Sequence, residues 1–322
     1  MPPTTVVNSS RSAVLDHHHT AYQTAFLNIN IGGVGDRARQ FMVDRYRADG
    51  QPFAMATIHL DTDPATTLDA DEHILLQLTG AQVDAMRANP DTFGPVSTAI
   101  IQHLKRMLRP GDTLNGSRTT RALTQLSFLY HEGKICRGLQ DALTKLRQNF
   151  KVSQVTPVFV SSSGGGTGSA AQILLMDLFQ RPDFRHRLLG GIPSELLLPP
   201  ISFVCEPFVY ARAASQMQGR KINANAYAFR LESEWMLQRH AANYVAHVGF
   251  ANNGGTVLSD PDLMSRVLGY AVYEVERCWP ALKGRWVDGP DDLASMTAYG
   301  GQDSPVFEMP DNVNIHVRRR SP

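Results

Sequence analysis

Cysteine is scarce in this sequence, with three in 322 residues, at Cys136, Cys205 and Cys278. They are scattered and odd in number, so they offer neither a zinc-ligand spacing nor a disulfide framework, and a reducing cytoplasm is the simplest expectation. An excess of one charge sign is missing too. Lysine and arginine total 31 against 30 aspartates and glutamates, which leaves no basic field for a nucleic acid or an anionic membrane surface. No apolar run approaches the roughly 20 residues of a membrane helix, so no membrane span is expected. The N-terminus lacks the charged-then-apolar order of a signal peptide. There is no internal repeat. What is left is the composition of a soluble globular protein, 43% apolar and 19% charged, long enough for one large domain or two smaller ones.

Residues 1–25 are polar and unpatterned, and read as a flexible tail; His17-His18-His19 within it has no cysteine or carboxylate cluster nearby to complete a metal site. Strand and helix signals then alternate. Phe26–Ile31 reads as a strand running into Gly32-Gly33-Val34-Gly35, and Ala38, Phe41, Met42 and Tyr46 mark a helix by their spacing. Met55–Leu60 and Ile74–Leu78 read as strands, and a long helix is expected within 119–148. Val158-Phe159-Val160 is a buried strand whose backward extension Pro157 should limit. Further helices are expected after residue 169, from Asn223 to about His240, and over Pro261–Glu276, with strands at Ile201–Cys205 and Tyr244–Phe250. The last 45 or so residues are proline-rich and weakly patterned. The alternation predicts an α/β fold, a mostly parallel sheet with helices on both faces, whose ligands bind at the carboxyl ends of the strands. Both glycine loops fall there.

The first loop, Gly32-Gly33-Val34-Gly35, lets backbone amides and a helix N-terminus face an anion. Gly33-Val34-Gly35-Asp36-Arg37-Ala38 also fits the dinucleotide fingerprint G-x-G-x-x-A, with Asp61 placed to hold a ribose, so a Rossmann-type oxidoreductase is an alternative. The second loop is Ser161-Ser162-Ser163-Gly164-Gly165-Gly166-Thr167-Gly168-Ser169. Between an apolar strand and an apolar-striped helix, it offers a concave row of N–H donors, to which Thr167 and Ser169 can add hydroxyls. No Gly-Lys-Ser/Thr closes it, which excludes a Walker loop, and no Gly-x-Ser-x-Gly is present, which excludes a serine-hydrolase elbow.

Gly164-Gly165-Gly166-Thr167-Gly168-Ser169 resembles the loop signature of the tubulin/FtsZ superfamily, with Ala170 where a final glycine usually stands. In the same order, Gly32–Gly35 resembles that family's first phosphate loop, and Asp61-Thr62-Asp63 the Asn-Thr-Asp after its second strand. Gly116-Ser117-Arg118 stands where a loop faces the terminal phosphate, and Glu206-Pro207 resembles the ribose-side loop. Asn223-Ala224-Asn225-Ala226-Tyr227-Ala228 resembles the helix that carries a base-contacting Asn and a stacking ring, most of all in the divergent bacterial tubulin-like proteins. The resemblance covers about residues 26–276.

It implies a cytoskeletal GTPase: GTP or GDP held with Mg²⁺, head-to-tail self-association into an oligomer or filament, and hydrolysis helped by acids of the next subunit. Asp260-Pro261-Asp262 is the matching position for those acids, although Asp260 before Pro261 also makes a good helix cap. The nucleotide-binding residues so implied are Gly32, Gly33, Val34, Gly35, Asp61, Asp63, Gly116, Arg118, Ser163, the run Gly164, Gly165, Gly166, Thr167, Gly168 and Ser169, then Glu206, Asn223, Asn225 and Tyr227. Residues 26–276 would form the nucleotide-binding domain with its long core helix, and 277–322 a remnant of, or substitute for, a second domain that is reduced or absent. A nucleotide-sensing module that needs a partner protein and has no appreciable turnover is the other alternative.

Overall fold

The computed structural model describes residues 21–64, 73–90, 100–102, 120–238, 244–249, 257–279 and 315–319. The strands are β1 (Ala21–Ile31), β2 (Ala54–Asp61), β3 (His73–Leu75), β4 (Lys151–Ser162), β5 (Ile201–Cys205), β6 (Tyr244–Val248) and β7 (Ile315–Arg319). They form one sheet in the order β3-β2-β1-β4-β5-β6-β7. Every pair is parallel except the last, where β7 runs antiparallel along β6.

Parallel strands need crossovers, and helices supply them on both faces. One face carries α1 (Gly32–Ala48), α7 (Phe208–Ala213) and α9 (Pro261–Arg277), packed on Phe26, Val158, Phe203 and Val248. The other carries α3 (Arg121–Tyr130), α4 (Glu132–Asn149), α5 (Gly166–Leu178), α6 (Pro182–Leu189) and α8 (Gln216–Gln238), packed on Leu27, Ile29, Phe159 and Val204. A smaller helix, α2 (Gly80–Ala88), packs with α3 in a separate apolar cluster. Covered on both sides, the buried stretches 25–31 of β1 and 155–160 of β4 are largely apolar. The exceptions in β1, Asn28 and Asn30, are buried and donate to Glu276 and to the Ile58 carbonyl at 3.2 and 3.3 Å.

Several boundaries differ from the sequence reading. β1 starts at Ala21 rather than Phe26, and β3 is shorter than the expected Ile74–Leu78. The helix expected within 119–148 is two helices, broken at His131, whose ring bonds the Gln77 carbonyl at 2.8 Å. β4 runs straight through Pro157. The Val155 carbonyl accepts from the Leu198 amide on the β5 side, so the N–H that Pro157 lacks would point to that side too, where pairing with β5 begins only at Val158. α8 begins at Gln216, about two turns before Asn223. Within the weakly patterned C-terminal stretch, Ile315–Arg319 forms the edge strand β7.

Candidate functional site

Both glycine loops leave the carboxyl ends of neighbouring strands. β1 runs directly into α1, and β4 into α5 through Ser163–Gly165. Neither helix has a side-chain cap, and neither carries an acid in its first turn. Their first-turn amides therefore lack intrahelical partners and sit at the positive end of a helix dipole.

Glycine is required by both conformation and room. Gly32 has φ +69, and a Cβ there would lie 3.3 Å from the Gly168 amide nitrogen. A Cβ on Gly35 would come within 2.7 Å of the Val160 carbonyl, and one on Gly168 within 3.0 Å of the Ser162 carbonyl. The two loops thus touch each other and sit directly on the sheet.

Side chains fix their shape. Ser162 Oγ accepts from the Gly164 amide at 3.2 Å, and the Ser163 hydroxyl donates to the Cys205 carbonyl at 3.1 Å. Ser169, expected as a hydroxyl donor for a ligand, instead donates to the Gly165 carbonyl. Thr167 Oγ1 bonds Thr62 Oγ1 at 2.9 Å and ties the second loop to the end of β2.

Beneath Thr62, Asp61 accepts from the amides of Thr62 and Asp63 at 2.7 and 3.4 Å. Burial pushes its carboxyl up to about 6. Both amides bind its Oδ1, and at 4% exposure Asp61 is not presented to a ribose as a dinucleotide enzyme requires. Asp63 is exposed at the rim. His59 reaches the Gly32 carbonyl at 3.3 Å and stacks on His73 with ring centroids 5.0 Å apart. Burial first, then His73, lowers its pKa to about 3, so the ring is neutral. The sequence reading missed His59; it lies two positions before Asp61 on the same face of β2, an alternation that an apolar count does not register.

Next to Ser163 a cleft of about 340 Å³ opens between α8 and the turn after β5, lined by Glu206, Pro207, Phe208, Asn223, Tyr227, Arg230 and His247 among others. Four of the expected nucleotide residues, Ser163, Glu206, Asn223 and Tyr227, therefore meet in one place. Asn223 and Tyr227 are one helical turn apart, and Tyr227 is 67% exposed. Arg230 pairs with Glu206 at 3.6 Å. Arg230 and Phe208 are additions to the expected set; Arg230 was legible as seven positions after Asn223 on the same helix face.

Asn225 points elsewhere. It is 9% exposed and donates to the Gly164 carbonyl at 3.1 Å, bracing the second loop from α8. It lies inside α8 rather than at its start, so it is not a cap. Arg121 donates to the Asn225 carbonyl at 3.3 Å and pairs with Glu232, which holds it on α8. Gly116 and Arg118 lie outside the described residues.

Asp260 and Asp262 stand at the start of α9. The Pro261 carbonyl accepts from the Tyr210 hydroxyl at 3.2 Å and Asp262 pairs with Arg37, so α9 starts beside α7 and the first turns of α1. Asp260 is the N-cap of α9 and accepts from the Asp262 amide at 2.8 Å. Asp262 is exposed and lies 3.5 Å from Arg37 of α1. Asp260 thus caps α9, and the intersubunit role that the resemblance implies for the pair is taken up as a proposal below.

Among the described residues no helix is long and apolar enough to cross a membrane. No protein-family model matches the chain, and no curated protein matches it. Among solved structures it is similar to CetZ2 from Haloferax volcanii, a GTPγS-bound protofilament, at 14% identity and TM-score 0.45, covering 84% of this chain and 61% of that one. It is similar to TubZ from Clostridium botulinum phage c-st at 11% identity and TM-score 0.43, covering 83% and 63%. A GTPγS-form protofilament of TubZ from Bacillus thuringiensis serovar israelensis gives 11% identity and TM-score 0.44, covering 81% and 58%. The chain spans about three fifths of the length of these structures.

Proposed function

We propose that this chain binds a guanine nucleotide, GTP or GDP with Mg²⁺, at the carboxyl edge of its sheet, in the manner of the tubulin/FtsZ superfamily whose loop signature it resembles. The observation that carries the reading is the convergence of two uncapped glycine loops, close enough that a Cβ on Gly32 would meet the Gly168 amide at 3.3 Å. Two sets of first-turn amides then face one anion, a stronger arrangement than a single dinucleotide loop. The cleft beside Ser163 takes base and ribose: Tyr227 offers a ring for stacking, and Glu206 and Asn223 offer polar groups for the purine edge and the sugar. The proposal includes the role toward the terminal phosphate that the resemblance implies for Gly116 and Arg118.

Mg²⁺ suits the residues present. Among the described residues no cluster of three or more His, Cys, Asp or Glu could hold a metal unaided. An ion carried by phosphates needs only one or two carboxylates, and Asp63, exposed next to the Thr62–Thr167 contact, would supply one. When bound, it neutralises phosphate charge.

Hydrolysis and head-to-tail assembly, with the intersubunit role that the resemblance implies for Asp260 and Asp262, form the further part of this reading. The cap that Asp260 makes and the pairing of Asp262 with Arg37 favour a second reading, a nucleotide-sensing module without appreciable turnover. Identification by mass of the nucleotide that co-purifies with the protein tests the first step; extracted NAD or FAD would overturn it. Turnover of GTP per subunit, measured across protein concentrations, separates the other two. A rise with concentration supports an intersubunit site. Tight GTP binding without turnover supports the module.

A further inference from the structure

β3 pairs only with His59–Asp61 of β2. The first half of β2, Ala54–Ile58, has β1 on one side and no strand on the other among the described residues. The Asp61 carbonyl accepts from the Leu76 amide on the β3 side, whereas the Ile58 carbonyl accepts from Asn30 on the β1 side. Because the backbone groups of a strand alternate in direction, Met55 and Thr57 aim their N–H and C=O groups at the open side.

That side is a groove. A cleft of about 400 Å³ lies between α1 and α4, with Val43, Tyr46, Leu146 and Phe150 as its apolar walls and Met55–Ile58 at its base. A second cleft of about 470 Å³ continues it past Ile58 and Lys145. Their combined lining carries four cations, Arg47, Lys145, Lys134 and Arg137, against one carboxylate, Asp141. Burial, and then the charge of Lys134, push the His73 imidazole at the far end below its ordinary value.

We propose that this edge takes up an extended acidic peptide from a partner protein, which adds a strand beside β2 through Met55 and Thr57 and sets its carboxylates over Arg47 and Lys145. An open strand edge is a template for a further strand, and flanking pockets select its side chains. The apolar walls and the unpaired main-chain direction favour a polypeptide over a nucleic acid. A second copy pairing edge to edge would bring the same cations face to face, which disfavours it. The inference is independent of the nucleotide reading.

The test uses the full chain and a fluorescein-labelled peptide alternating glutamate with valine, followed by anisotropy and by amide hydrogen exchange. The peptide is expected to bind saturably, more weakly as salt rises, and to slow exchange at Met55 and Thr57. Arg47→Glu with Lys145→Glu, both on the rim, is expected to weaken binding about tenfold or more while the unfolding free energy stays within about 0.5 kcal/mol of wild type. Thr57→Pro removes the exposed donor and is expected to weaken binding as well. Absence of binding, equal binding of a lysine–valine peptide, indifference to the charge reversal, or Met55 and Thr57 amides already protected without peptide would each overturn the proposal.

Discussion

Three of the helices that follow strands of this sheet, α1, α5 and α9, start in two different ways. α1 and α5 open on glycine, uncapped and with no acid in the first turn. α9 opens on Asp260-Pro261: the aspartate caps the Asp262 amide, proline removes one donor, and Asp262 adds a second carboxylate. All three ends carry the same orphan amides and roughly half a positive charge. α9 meets one of these with its own cap, whereas α1 and α5 have no side-chain cap. The contrast separates a helix end built for stability from two built to meet an anion.

The largest expected effect tests whether the open ends are held rigidly. Gly35→Val would drive its Cβ into the backbone of Val160 and Asn30, at 2.7 and 2.9 Å, and neither central strand can yield. A loss of about 3 kcal/mol or more is expected in denaturant unfolding. Gly33 has only the Arg37 guanidinium at 3.9 Å, so Gly33→Ala should stay within about 0.5 kcal/mol of wild type. Equal tolerance at both positions would show that the first loop is loose.

A second change makes α1 resemble α9. Gly33→Asp places a carboxylate in the first turn of α1, where it favours the helix dipole but repels a phosphate. Stability is expected to hold, and GTP affinity to fall by roughly tenfold to a hundredfold, read by titration calorimetry. Unchanged affinity would remove α1 from the site.

How much of this was legible follows the same division. The loops could be read because each glycine run stands between an apolar strand and a helical stripe, a local signal that forces the backbone course. The gathering of Ser163, Glu206, Asn223 and Tyr227 followed from the same order of elements. What failed was decided by tertiary geometry. Asn223 and Asn225 looked like a helix start, but α8 begins earlier and turns Asn225 inward to Gly164 while leaving Asn223 in the cleft. Pro157 looked like a strand limit because the side to which its missing donor points is set by β5, which is distant in sequence. The pairing of Asp262 with Arg37 of α1 likewise joins residues distant in sequence, which no local pattern encodes.

The floor beneath the open ends offers a third, smaller test. Asp61 beside Thr62 and Thr167 is raised to about 6 by burial, and His59 under Gly32 is lowered to about 3 by burial. Between pH 4 and 6 the folded state binds more proton at Asp61 than the unfolded chain does, so that group makes stability fall as pH rises. At His59 the unfolded chain binds more, so stability rises with pH, and the two slopes oppose each other. Asp61→Asn leaves His59 unopposed, and the pH profile of unfolding free energy should steepen upward by about 1.4 kcal/mol per pH unit across that window. A profile that does not steepen would mean that Asp61 titrates as an ordinary exposed carboxylate.

The smallest effect belongs to α9. Asp260→Ala removes its cap and leaves the Asp262 amide to water, which should cost about 1 kcal/mol in unfolding free energy. GTP affinity and any turnover should not change, because the carboxylate faces its own helix rather than the glycine loops. Asp260→Asn, which can still accept from that amide, should recover most of the stability. If Asp260→Ala abolished turnover while Asp260→Asn restored stability but not turnover, the carboxylate charge itself would be at work, and α9 would join α1 and α5 as a third helix end directed at the nucleotide.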